Sequence, residues 1–139
     1  MLNEFIKKFT DKEIIDFKLV KKLRTDYFIL SSDLLRASQK IRWPFLYGGL
    51  FLGKEKKQFV PSVYLLQKLA EVSDKKVWLN EKDEWRFICK KDISIISNQK
   101  NKEFILVINK YNECLGYGID EKNNIKNLFD IGDFLRREK

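Results

Sequence analysis

The sequence predicts an α+β protein in two parts. An N-terminal α/β domain over residues 1–75 packs on a C-terminal small β-barrel over residues 76–139. Three observations carry this reading. The first half holds helical patterns with clear start and stop residues, the second half is mostly short strand-like runs, and a polar break at residues 73–76 separates them. At 139 residues, 44% hydrophobic and with 11 Phe, the chain has core material for one domain or two small ones packed together. A chain this apolar offsets its ordering entropy by burial.

In order along the chain, Leu2, Phe5, Ile6 and Phe9 follow the i, i+3, i+4, i+7 spacing of a short amphipathic helix. Residues 17–23 and 27–30 flank ArgThrAsp as a β-hairpin. Ser31, Ser32 and Asp33 cap a helix reaching Ile41, with Leu34, Leu35 and Ser38 on one face, and Pro44 stops it because the residue before proline is pushed toward extended geometry. A strand follows over residues 46–52, interrupted by Gly48 and Gly49. Pro61 opens a second helix, residues 62–72, with Val63, Leu66, Leu69 and Ala70 as its apolar face.

Beyond the break, residues 77–79 read as a strand. Residues 85–89 fit a short helix or a strand, which periodicity does not separate. Residues 104–109 form a continuous apolar run suited to a buried strand, 109–113 a polar turn, 114–119 the returning strand, and 130–137 a short helical turn.

Composition excludes several function classes. With no histidine in the chain, a Ser-His-Asp or Cys-His catalytic arrangement, histidine-ligated metal and a histidine pH switch are all ruled out for these residues. Cys89 and Cys114 are too few for a zinc site and lie in apolar runs, which predicts two reduced core thiols and no metal or other cofactor. GlyGlyLeuPheLeuGly at 48–53 lacks the GlyLys-Ser/Thr of a phosphate loop and reads as a strand with a close backbone approach. Asp83 with Glu84, and Asp130 with Asp133, read as solvated surface or helix caps. The expectation is therefore a non-enzyme. No apolar run nears the roughly 20 residues that span a bilayer, and the N-terminus has no signal-like apolar core, so a soluble intracellular protein without a membrane partner is expected.

Charge points to nucleic acid. The chain carries +8 with a pI near 9.4, and residues 1–76 hold 16 basic against 9 acidic residues. Arg36, Lys40 and Arg42, followed by Lys54, Lys56 and Lys57, interleave with Trp43, Phe45, Tyr47 and Phe51. Basic groups neutralise phosphates and exposed rings stack unpaired bases, a mixture suited to single-stranded RNA. The same residues also fit buried aromatics flanked by solubilising lysines. At the C-terminus, Gly116 and Gly118 flank Tyr117 and permit close backbone approach, and Arg136, Arg137 and Lys139 follow at the end of a helical turn. Cations opposing the helix dipole suffice to explain the last feature, so both readings stay open.

LeuValIleAsnLysTyrAsnGluCysLeuGlyTyrGly (106–118) followed by AspIleGlyAspPheLeuArgArgGlu (130–138) resembles the end of a PUA domain, a small RNA-binding β-barrel. Upstream, residues 27–35, 50–54, 57–70 and 75–80 follow one another as in the nuclear import protein seven family of large-subunit ribosome-biogenesis factors. That family joins an α/β pre-PUA domain to a C-terminal PUA domain. The resemblance covers about residues 25–139, with an opening shorter than the family's and LysLysAsp at 90–92 where a glycine is common.

The resemblance implies a non-catalytic RNA-binding factor acting on large-subunit precursor rRNA, single-stranded or looped, together with other assembly proteins. It further implies RNA contacts at Lys90, Lys91, Gly116, Tyr117, Gly118, Arg136 and Arg137; from their charge alone, Lys126 and the group Arg36, Lys40 and Arg42, close together at the end of one predicted helix, are added as phosphate-facing candidates. The alternative is an accessory subunit of a pseudouridine synthase or methyltransferase complex; a protein scaffold is the third reading. The short opening favours an archaeal cytoplasm, with the nucleolus or nucleus as the location in a eukaryote.

Overall fold

The computed structural model describes residues 1–33, 36, 49–95 and 102–137, the last three of these by backbone only. The expected helix through Ile41, its stop at Pro44, the aromatics Trp43, Phe45 and Tyr47, and the glycine at 48 lie outside the described residues.

The chain opens with α1 (Leu2–Lys7), whose Leu2, Phe5 and Ile6 are buried together with Phe9, as the spacing predicts. A single 3₁₀ turn (Phe17–Leu19), capped by the Asp16 carboxylate accepting from Lys18 N–H, leads into β1 (Val20–Leu23) and β2 (Asp26–Ile29). These strands form the expected hairpin, Leu23 facing Asp26 across a two-residue turn with Arg24 left-handed at φ 55°. β3 (Leu50–Glu55) and β4 (Phe59–Pro61) complete a four-stranded antiparallel sheet in the order β1-β2-β3-β4. β3 thus begins at Leu50 and runs past residue 52, where the expected strand ended. Pro61 closes β4 on the sheet edge, where its missing N–H costs no ladder bond.

Helix α2 (Val63–Val72) starts at Ser62, whose Oγ accepts from Leu65 N–H at 3.1 Å. Its inner face is Leu65, Leu66, Leu69 and Ala70; the expected Val63 instead points outward at 43% exposure. The stripe at i, i+1, i+4 and i+5 is rotated from the predicted one because Leu65 is the larger apolar group to bury.

The second sheet is mixed and five-stranded, curled as a half-barrel in the order β5-β7-β8-β9-β6. It comprises β5 (Lys76–Trp78), β6 (Ile93–Ser94), β7 (Phe104–Ile108), β8 (Cys114–Glu121) and β9 (Asn124–Asp130). β5 runs parallel to β7, and the remaining pairs are antiparallel. Helix α3 (Glu81–Ile88) connects β5 to β6, settling the ambiguous 85–89 run as helix, and α4 (Gly132–Arg137) follows β9.

Both faces of this sheet are covered, which is why β7 and β8 read as continuous apolar runs instead of alternating. Ile105, Val107, Leu115 and Ile125 face inward under Phe87 of α3 with Val77, Leu79 and Ile93. Leu106, Ile108, Cys114 and Tyr117 face the other way, into a core shared with α1 and α2. That shared core is bonded as well as packed. The Gln67 amide of α2 accepts from Cys114 N–H (3.1 Å) and donates to Cys114 C=O (3.2 Å), and Ser73 Oγ donates to Phe9 C=O at 2.6 Å. No helix among the described residues is long and apolar enough to cross a membrane.

Candidate nucleic-acid interface

Helix α3 positions the first basic residues. Asn80 caps it, its side chain accepting from Asp83 N–H at 2.9 Å, and Glu81, Asp83 and Glu84 in the first turn complement the dipole. Phe87 turns fully inward, whereas Trp85 is 68% exposed. The helix ends in a Schellman motif: Lys90 N–H donates to Phe87 C=O (3.0 Å) and Lys91 N–H to Arg86 C=O (3.1 Å). Lys90 is the left-handed residue of that motif, φ 65°, the position that glycine favours.

This loop is tied to the end of β9 and to α4. Lys90 Nζ lies 3.0 Å from Asp133 Oδ1, and Asp92 accepts from Asn127 N–H at 2.9 Å. The Asn127 side chain donates to Phe87 C=O (2.8 Å) and to Asp130 Oδ2 (3.1 Å). The result is a polar hollow of about 330 Å³ bordered by Lys90, Asn127, Asp130 and Asp133. Asp130 itself is buried and serves this network, where surface solvation or capping was expected.

Of the expected RNA contacts, the structure brings Lys90 beside α4, the helix that carries Arg136 and Arg137. Lys91 is exposed on the same loop, and Lys126 is exposed on β9. The side chains of Arg136 and Arg137 lie outside the described residues, as do Lys40 and Arg42 entirely. Arg36 is exposed in the N-terminal half, its guanidinium 3.6 Å from Asp33.

The Gly116–Tyr117–Gly118 group lies in the β8–β9 pairing, with the Tyr117 ring in the shared core. Tyr117 is 5% exposed and packs among Phe5, Phe9, Phe104 and Phe129 at ring distances of 5.3, 5.6, 6.4 and 6.1 Å. Burial pushes its hydroxyl up to about 12. The flanking glycines make room for the β9 backbone. At Gly116 (φ 152°) a Cβ would stand 2.0 Å from Phe129 O. The expected core position of Cys89 is corrected, since it is the exposed cap of α3, while Cys114 is buried with its thiol pushed up to about 12.

Sequence reasoning overlooked three surface aromatics around the β5 and β7 strand ends. Trp78, Trp85 and Tyr111 are 51%, 68% and 69% exposed. Trp78 Nε1 donates to Asn112 (3.0 Å), Lys76 lies over its ring, and Lys110 pairs with Glu81 beside Tyr111. The signal was present for Trp85, an aromatic set among Glu84, Arg86 and the other charges of α3. Among the described residues no group of three or more His, Cys, Asp or Glu is placed to hold a metal ion.

Residues 75–139 match the family model of the UPF0113 PUA domain. A UPF0113 protein of Archaeoglobus fulgidus is 30% identical over 110 residues, an alignment covering 67% of this chain and 63% of the relative. The chain thus spans less than two thirds of that relative's length. The curled five-stranded sheet, with α3 over its inner face and α4 at its end, lies within the matched residues. The C-terminal region of the chain carries a PUA domain.

Proposed function

We propose that this chain is a non-catalytic RNA-binding protein of ribosome biogenesis that acts on large-subunit precursor rRNA alongside other assembly proteins. In this reading residues 1–75 are the pre-PUA half of the nuclear import protein seven arrangement, and the protein works in an archaeal cytoplasm. The observation that carries the proposal is the PUA match over residues 75–139, since PUA domains generally bind RNA. A net charge of +8, Lys90 beside α4 and an exposed Lys91 on the same loop support it. The order of motifs along residues 25–139 supports the ribosomal role.

Crosslinking in cells, followed by sequencing of the bound RNA, tests the proposal. Enrichment of large-subunit precursor rRNA is expected. Enrichment of modification substrates with stoichiometric copurification of a pseudouridine synthase or methyltransferase would replace it with the accessory-subunit reading. RNA affinity that barely responds to salt would sink RNA binding itself.

A further inference from the structure

Helix α3 turns an indole to solvent that the packing of the domain does not use. Trp85 is 68% exposed, although tryptophan is highly buried on average. The two other exposed rings at this end of the sheet have partners. Trp78 Nε1 donates to Asn112 at 3.0 Å and Lys76 Nζ lies 5.3 Å over its ring, while Lys110 Nζ lies 5.1 Å over Tyr111. Among the described residues no ring packs on Trp85 and no cation lies over it. A single exposed ring is ordinary on a protein surface, so its setting decides what it does.

That setting is basic. Lys82, Trp85, Arg86 and Cys89 fall at i, i+3, i+4 and i+7 and form one outer ridge of α3, all four exposed. The ridge runs directly into the Lys90–Lys91 loop, which the two Schellman bonds fix against the helix end. Four cations, Lys82, Arg86, Lys90 and Lys91, therefore lie along the helix beside one ring, with Lys90 shared with Asp133. The acids of α3 are engaged at its other end. Glu81 pairs with Lys110, Glu84 accepts from the Asn109 side chain at 3.3 Å, and Asp83 is half-buried in the first turn. The ring is also held in place. Phe87, fully buried, and the Asn80 cap anchor the helix, so the indole has little freedom to lose on binding.

We propose that Trp85 is a stacking platform for one unpaired base of an RNA held on the Lys90–Lys91 loop, with Arg86 and Lys91 on the flanking phosphates. A flat apolar ring beside a row of cations matches a base joined to its backbone. A duplex offers the same phosphates but keeps its base faces stacked inside, so the platform makes the interface prefer single-stranded or looped RNA. The proposal rests on the RNA-binding reading and names the kind of RNA that reading takes.

The test titrates the full chain at several salt concentrations with a uridine-rich RNA oligonucleotide, alone and annealed to its complement. Wild type is expected to bind the single strand more tightly. Trp85→Ala should weaken single-strand binding about fivefold or more and leave duplex affinity as it was. Its salt slope should match wild type, because no charge is removed, and its thermal midpoint should hold, because the indole is exposed. Trp85→Phe keeps a ring and should retain most of the affinity. Arg86→Ala should show the opposite signature, a slope flattened by about 0.7. Tyr111→Ala, at a ring equally exposed but covered by Lys110, should bind like wild type. A Trp85→Ala variant that binds the single strand like wild type overturns the platform and leaves the ring to a protein partner, while the RNA-binding reading survives. A loss shared equally by the duplex, or matched by Tyr111→Ala, also overturns it. Failure of the wild-type chain to bind either RNA overturns both readings.

Discussion

Lys90→Gly is expected to raise stability and lower RNA affinity at once. Lys90 is the left-handed residue of the Schellman motif at the end of α3, φ 65°, and its Nζ lies 3.0 Å from Asp133. A left-handed conformation costs a residue with a Cβ about 1–2 kcal/mol, which glycine does not incur. Against that stand the greater freedom of glycine in the unfolded chain, about 0.5–1 kcal/mol, and the loss of one ion pair. Side-chain exposures of 61% and 35% limit that pair to about 0.5 kcal/mol. The net gain at mid-range is about 0.25 kcal/mol, or roughly 1 °C in thermal midpoint for a chain of this size. Lys90→Ala keeps the left-handed cost and loses the pair, so it should melt no higher than wild type. If Lys90 contacts a phosphate, as proposed, both variants remove one such contact and should reduce the slope of log affinity against log salt by about 0.7 for single-stranded RNA. Calorimetry with salt-dependent titration reads both quantities. If Lys90→Gly melts no higher than Lys90→Ala, the backbone account of this loop is wrong. If neither changes RNA binding, the loop is not part of the interface.

Gln67→Ala should destabilise the protein by about 1–3 kcal/mol in urea unfolding, because it strips partners from Cys114 N–H and C=O where α2 meets β8. A cost near zero would mean that water replaces the amide there. Thiol titration of the native protein should modify exposed Cys89 and spare buried Cys114 until unfolding. Cys114 and Tyr117 have usual values of 9.0 and 10.0 and are both raised to about 12, so the fold holds their protons more tightly than the unfolded chain does. Their contribution is full below pH 9 and is lost as pH rises toward 12; denaturant midpoints that stay flat across that window would contradict the burial of both groups.

How much of this was legible in the sequence depends on whether a residue's partners are local. Helix α1 was readable because Leu2, Phe5, Ile6 and Phe9 fall on one face, and α2 because Ser62 caps it; which face α2 buries depended on the sheets it meets, so Val63 and Leu65 exchanged places. Strand β9 went unrecognised because Asn124, Lys126 and Asn127 dilute its apolar positions. Its cue was the turn before it, where Lys122 and Asn123 are both left-handed (φ 48° and 62°), as a two-residue hairpin requires. Cys89 looked internal because it closes an apolar run, but a helix turns successive residues about its axis, and Phe87 is the one directed inward. The inward placement of Tyr117 was hidden for a similar reason. Glycines beside an aromatic suggest access for a ligand, whereas here they let the β9 backbone approach and send the ring into the shared core. The basic loop at Lys90 was singled out through the family resemblance, but its proximity to α4 was not. Its pairing with Asp133 and its anchoring through Asn127 depend on strand register, which no local pattern encodes.

The most direct test of the central claim is titration of a uridine-rich RNA oligonucleotide at several salt concentrations with wild type, Arg136→Ala plus Arg137→Ala, and Lys122→Ala plus Lys126→Ala. The two double variants remove equal charge, but only arginine offers a planar fork that takes phosphate oxygens bidentately. The account predicts that the arginine variant stays folded, binds more weakly than the lysine variant, and loses about 0.7 in salt slope for each phosphate contact removed. An arginine variant that binds like wild type with an unchanged slope would contradict it and move the interface to Arg36, Lys40 and Arg42 in the N-terminal half.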